Sequence, residues 1–568
     1  MTGLATGAAR DAYERIAAAG RPEIWITLRS MDDVMADAAA LDALPVDARE
    51  ALPLYGLTLA VKDNVDVAGL PTTAGCPAFA YAPSVSAPAV QRLVDAGAVV
   101  VGKTNLDQFA TGLVGTRSPH GAVRDARRPE HVSGGSSSGS GVAVALGLVD
   151  LAIGTDTAGS GRVPAAFGGI VGFKATKDMV SVQGVVPACA SLDCVTILAA
   201  DLALAERAIA IMAGPDALPP DAPLAAPPVP RVAVPPAEEL GDLTPAARDA
   251  FARAVAALEA AGAVIQPVGL DPFLEAARML YDSALVAERH AAVGAFVDRH
   301  PDTVDATVGA IIRRAATFTA TEHLRAVARV GELRLAAVAA LGDADALLMP
   351  TTTRQPTLAE VARDPVGVNS RLGIYTNFCN LFDLCAVAVP AGEADGGCFG
   401  VTVLAPAHHD RVAADVAALV CGMPAAAPDA ALGATKATTL LVVGAHRRGQ
   451  PLNSQLTGIG ARFVSTAHTA PEYRLYALDT DPPKPGLVRV EPDDGAAIEG
   501  ELWLLPPAGL GLLLSSLPAP MTLGPVTLSD GRPVVGFGCE PAALVGAPDI
   551  TEHGSWPAWL AARAGARV

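Results

Sequence analysis

The chain alternates between stretches with a helical hydrophobic period and short, continuously apolar stretches. SAPAVQRLVDAGAVVVGK (86–103) reads as a helix, a stop at Gly97, and a buried strand over AVVVG. TPAARDAFARAVAALEAAGAVIQPV (244–268) repeats the plan. Thr244 sits where an N-cap belongs, Pro245 at the first helical position, and Gly262 at the end. Phe251, Val255 and Leu258 supply the expected buried stripe. TLAVKDNVDV (58–67) puts Lys62 at the end of a short apolar strand. Leu347–Thr351 and AVAVP (386–390) read as late strands of the same core. Helices alternating with buried strands predict an α/β fold, a mixed central sheet covered by helices.

Two proline-rich stretches interrupt the pattern. DALPPDAPLAAPPVPR (216–231) reads as a long loop inside one domain, whereas GMPAAAPDAALGATKA (422–437) reads as a true boundary. After it come short strands bounded by glycine and proline: TTLLVVGAH, RLYALDT, GLVRVEP and IEGELWLLP. The expected organisation is one domain over 1–430 and a small β-rich domain over 438–568.

Composition narrows the class. A chain of 568 residues exceeds one typical domain. A net charge of −18 argues against nucleic acid or an anionic membrane as partner, so any anion site must be a local exception. The eight cysteines form no C-x-x-C or zinc-ligand spacing, and no H-E-x-x-H occurs among the ten histidines. No metal or cofactor is expected. The N-terminus lacks an apolar signal core, and LWLLPPAGLGLLLSSL (502–517) is broken by Pro506 and Pro507. A cytoplasmic enzyme is the expectation.

The chemistry concentrates in residues 134–164, GGSSSGSGVAVALGLVDLAIGTDTAGSGRVP. Two serine-bearing, glycine-lined turns flank an apolar run, which a flexible linker would not do. Glycines let backbone N–H groups approach a ligand closely, and serines in such turns serve as nucleophiles beside an oxyanion hole. The elements Gly134-Gly135-Ser136-Ser137, Gly154-Thr155-Asp156-Thr157-Ala158-Gly159-Ser160-Gly161-Arg162-Val163-Pro164 and the upstream Val61-Lys62-Asp63-Asn64 resemble the amidase signature family. Ser136 lies 74 residues after Lys62, and Ser160 lies 24 after Ser136, spacings that fit that family. Ala158 departs from the glycine found in many members but still supplies an N–H.

The resemblance implies a serine–serine–lysine relay in place of serine–histidine–aspartate. Ser160 would be the nucleophile, Ser136 the bridge on a cis peptide bond after Gly135, and Lys62 the terminal base. The base must be neutral, and burial depresses a lysine pKa. The oxyanion hole would be built from Thr157, Ala158 and Gly159.

Substrate choice must come from elsewhere. In YDSALVAER (281–289), a continuous helix would set Tyr281 and Arg289 two turns apart and about 80° around the axis. Arginine reads a planar carboxylate by a bidentate fork. Tyr375-Thr376-Asn377-Phe378, Asn380-Leu381, Asp383-Leu384 and the tail VVGAH…PLNSQL…APEYRLYAL are similar to the allophanate hydrolases within the amidase signature family. That resemblance spans the chain. It implies Tyr281 and Arg289 as carboxylate binders, and hydrolysis of allophanate to ammonia and carbon dioxide or bicarbonate in urea degradation. It also implies a γ-glutamylcyclotransferase-like C-terminal domain assisting decarboxylation of N-carboxycarbamate, a homodimer, and urea carboxylase as functional partner. His446 is the C-terminal candidate. The other reading is an amidase acting on a different small anionic amide such as malonamate.

Overall fold

The computed structural model describes residues 3–565, which fall into two compact units. The first comprises residues 1–217 and 229–426; the second comprises 218–228 and 427–568. The proline-rich 218–228 thus packs with the second unit, although the sequence reads as one domain through it. Leu224 N donates to Gly460 O at 2.8 Å, and Ala508 N donates to Pro220 O at 2.8 Å. A segment without periodicity gives no sequence signal for so distant a partner.

The first unit is built on an eleven-stranded mixed sheet. Its order is Trp25–Leu28, Val99–Thr104, Thr58–Lys62, Leu151–Asp156, Cys194–Ala199, Val171–Lys174, Cys385–Ala394, Gly397–Ala405, Ala346–Pro350, Arg231–Val234 and Val264–Pro267. Thr58–Lys62 lies parallel between Val99–Thr104 and Leu151–Asp156. All three strands are buried along their length, as their continuous apolar runs require. Helix Ser138–Ala145 packs against these three strands. Gly139 lets the helix start lie against Ile24 and Asn105, where a Cβ would collide with Ile24 O.

Helix Pro245–Ala260 starts as its sequence demands, with Thr244 Oγ1 accepting from Ala247 N at 3.1 Å. Its buried stripe is Ala247, Ala250, Phe251, Ala254 and Leu258. Val255 is only half-buried at the edge, because the small alanines set the line of closest packing.

The second unit carries a five-stranded sheet, ordered Arg462–His468, Glu499–Leu505, Thr438–Val442, Pro533–Cys539 and Met521–Thr527. A two-stranded sheet pairs Tyr473–Leu478 with Lys484–Arg489. Strand alternation serves two cores: Leu440 and Val442 enter one apolar cluster, Leu441 the other. The apolar run 502–517 is the end of a strand followed by helix Pro507–Ser515. Among the described residues, no helix is long and apolar enough to cross a membrane.

Candidate active site

Strand Thr58–Lys62 delivers Lys62 to the carboxyl end of the sheet, fully buried. Strand Leu151–Asp156 ends beside it and leads through the turn 157–161 into helix Arg162–Gly168. The Gly135–Ser136 peptide is cis and precedes helix Ser138–Ala145. Lys62 Nζ donates to Ser136 Oγ at 2.8 Å and to Thr155 Oγ1 at 2.7 Å. Burial pulls the Lys62 ammonium down to about 7, against the upward pull of Asp107, Asp156 and Asp193. A neutral amine is therefore accessible at physiological pH.

Ser160 is 2% exposed at the end of the second glycine turn. The two turns are tied through the backbone, with Ser137 N donating to Ser160 O at 3.2 Å. Among the described residues no hydrogen bond joins the hydroxyls of Ser136 and Ser160. The turn is wound around Asp156, which accepts from Gly159 N at 2.7 Å and Gly161 N at 3.1 Å. Arg162 clamps the same carboxylate twice, through Nε and Nη2, both at 2.9 Å. Burial pushes the Asp156 carboxyl up, but the Arg162 charge and these hydrogen bonds outweigh it and hold the group near about 2.

The Gly159 N–H, expected in the oxyanion hole, donates to Asp156 Oδ1. Among the described residues, the N–H groups of Thr157, Ala158 and Ser160 have no acceptor. Gly159 serves by conformation: its φ is +117°, and a Cβ there would meet Thr376 Oγ1 at 2.4 Å. Thr376 in turn donates to Ala158 O at 2.7 Å, fixing the turn from the other side.

The Tyr281–Arg289 pair meets, but not on one helix. Helix Asp271–Asp282 ends at Ser283, a short 3₁₀ turn follows, and a new helix runs Ala287–Arg299. Arg289 Nη2 nevertheless donates to Tyr281 Oη at 3.0 Å, and Nη1 donates to Thr111 Oγ1 at 2.8 Å. The guanidinium is buried, 2% exposed, and among the described residues no carboxylate is in ion-pair contact with it. Burial works against its charge, but Tyr281, Cys189 and Asp193 raise its pKa on balance.

Four supporting residues escaped the sequence reading. Thr155 and Asp156 lie inside the glycine motif but have no catalytic look. Asp107 is fully buried: its carboxylate accepts from Gly115 N at 3.0 Å and Arg117 N at 2.9 Å, and its own N–H reaches Ser136 O at 3.3 Å. Thr111 follows Phe109 and Ala110, both at positive φ. A lone Asp or Thr in a loop carries no signal of this kind; only the fold shows which groups it faces. His446 lies in the second unit, 7% exposed, with Nε2 at 2.9 Å from Gln455 Oε1.

A buried lysine bonded to a cis serine, a serine at the end of a glycine turn and an Asp–Arg clamp make up the candidate site. Residues 8–412 match the amidase family, and the chain belongs to it. Residues 438–561 match the family described as the allophanate hydrolase C-terminal domain. The chain is 40% identical over 579 residues to the urea amidolyase of Saccharomyces cerevisiae, covering 94% of this chain and 31% of that protein. It thus spans about a third of that relative's length. Among solved structures, Kluyveromyces lactis allophanate hydrolase superposes with a TM-score of 0.84 at 38% identity, covering 98% of this chain and 96% of the other. A structure described simply as an amidase matches 74% of the chain at a TM-score of 0.65 and 30% identity.

Proposed function

We propose that the chain hydrolyses allophanate, the carboxylate of urea, to ammonia and carbon dioxide or bicarbonate. The observation that carries this reading is Arg289: a buried guanidinium without a carboxylate partner, joined to Tyr281, in a chain with an amidase site. A buried cation is costly unless something pairs with it, and a substrate carboxylate supplies that pair.

Neutral Lys62 takes the Ser136 proton as Ser136 takes that of Ser160, whose oxygen attacks the terminal carbonyl. The N–H groups of Thr157, Ala158 and Ser160 are the free donors available to the oxyanion. Collapse expels ammonia, which carries away the proton returned by the relay. Water then cleaves the acyl-enzyme and frees Ser160, leaving N-carboxycarbamate. The second unit, with His446, assists decarboxylation of that product. No redox or metal step enters this chemistry. The substrate would be supplied by a urea carboxylase.

An amidase acting on malonamate would use the same first site, since malonamate also carries an amide and a carboxylate. The match of residues 438–561 to the allophanate hydrolase C-terminal domain favours allophanate. The test is ammonia release from the two substrates side by side. Preference for malonamate would overturn the assignment.

A further inference from the structure

Residues 107–111 join the two ends of the candidate site. At one end the Asp107 N–H donates to Ser136 O at 3.3 Å, and Ser137 N in turn donates to Ser160 O at 3.2 Å. At the other end the Thr111 hydroxyl accepts from Arg289 Nη1 at 2.8 Å. Its own proton goes to Phe109 O at 3.2 Å, so toward Arg289 it can only accept. Five consecutive residues thus run from the serines to the guanidinium.

Each of the five is held in place. Asp107 is wedged between two glycines, since a Cβ on Gly112 or on Gly135 would collide with its carboxylate. Gln108 Nε2 donates to Gly75 O at 3.0 Å, and its Oε1 accepts from Asp305 N at 2.6 Å. Phe109 N donates to Ala74 O at 2.9 Å, and the Phe109 ring packs edge-on against Phe79 and Phe296, with centroids at 5.4 and 6.0 Å. Phe296 lies on helix Ala287–Arg299, which also carries Arg289, so the segment meets that helix at two points. Arg117 Nη1 donates to Thr111 O at 2.8 Å. Phe109 and Ala110 hold φ of +50° and +52°. Non-glycine residues persist in this left-handed region only where their surroundings over-determine them, and such strain collects at ligand sites.

We propose that Asp107–Thr111 is a spacer that selects substrate length: it fixes the span from the serines to the Arg289 guanidinium, with Thr111 as the positioning residue for that guanidinium. A site fixed at both ends admits an amide with one atom between its amide carbon and its carboxylate, as in allophanate and malonamate. It rejects one with two atoms between them, as in succinamate. That the carboxylate lies on Arg289 rests on the function proposed above. Length selection goes beyond it, since a loosely held arginine would attract any anionic amide.

The test is kcat/KM for ammonia release from allophanate, malonamate and succinamate by the full-length chain; an amide held without turnover is read by its KI against allophanate. The wild type should favour malonamate over succinamate about ten- to two-hundredfold, the worth of one methylene in a fitted site. Thr111→Val keeps the shape of the side chain but cannot accept from Arg289. It should raise KM for malonamate about tenfold, move kcat less, and shrink the preference over succinamate by a similar factor. Thr111→Ala should behave like Thr111→Val, and Thr111→Ser should restore both KM and preference. On an Arg289→Ala background Thr111→Val should change nothing further, because it acts through the guanidinium. A wild type indifferent to length, a preference that survives Thr111→Val, a Thr111→Ser that restores nothing, or effects that add to those of Arg289→Ala would overturn the proposal. A chain that selects malonamate through Thr111 yet releases no ammonia from allophanate would sink the allophanate assignment alone.

Discussion

On the proposed function, Ser160, Lys62 and Arg289 carry the chemistry. Ser160→Ala should lower the turnover of ammonia release by several orders of magnitude while leaving the melting temperature near that of the wild type, since removing the nucleophile of such a relay leaves only oxyanion-hole catalysis. Lys62 sets the pH dependence. Its folded-state pKa is depressed to about 7, and only the neutral amine accepts a proton. Activity should therefore rise with pH through about 7 and level off above it, and Lys62→Ala should lose both the rate and that rise; a variant that keeps them would make the lysine structural. On the proposed function Arg289 would pair with the substrate carboxylate before and during reaction, so its loss would remove mainly uniform binding. Arg289→Ala should raise KM for allophanate about ten- to hundredfold, the worth of a charge-assisted hydrogen bond, and Arg289→Lys should recover only part. Most of these positions were legible in sequence because they sit in a dense, ordered motif. Thr111 and Asp107 were not, since their role depends on which distant group the fold brings to them.

The turn between strand Leu151–Asp156 and helix Arg162–Gly168 carries the site at the scale of elements. It is held by a buried ion pair, and removing one partner of such a pair leaves an uncompensated charge. Asp156→Asn should cost about 3–5 kcal/mol of stability, measured by denaturant unfolding, and should also loosen the N–H groups of the oxyanion turn. Unchanged stability would mean that Arg162 finds its compensation in Thr376 O and Asn380 instead. The strands and helices around this turn followed from hydrophobic period and capping, as at Thr244 and Gly97. The break at Ser283 did not: its backbone is extended there, ψ −179°, and its Oγ donates to Met279 O and accepts from Leu285 N. At Gly159 the limit is similar: sequence shows a glycine in a turn, not that its N–H faces Asp156.

The chain has two compact units, and the proposed function places one step in each. His446→Ala should leave the first ammonia release unchanged and slow only the decay of its product, resolved by single-turnover measurement of ammonia against carbon dioxide. Loss of the first ammonia in this variant would mean that the second unit is needed for the amidase step. The β-rich character of the second unit was legible from its short bounded strands. The membership of 218–228 in that unit was not, because a proline-rich segment contributes no periodicity and joins by a few backbone hydrogen bonds.

On the proposed function, an amidase relay at Ser160 acts on an anionic amide held by Arg289. The decisive measurement is kcat/KM for ammonia release from allophanate and from a neutral aliphatic amide, in the wild type and in Arg289→Ala. A strong preference for allophanate is expected, and Arg289→Ala should erase it by weakening allophanate alone. Equal use of the neutral amide by the wild type, or a preference that survives Arg289→Ala, would contradict it.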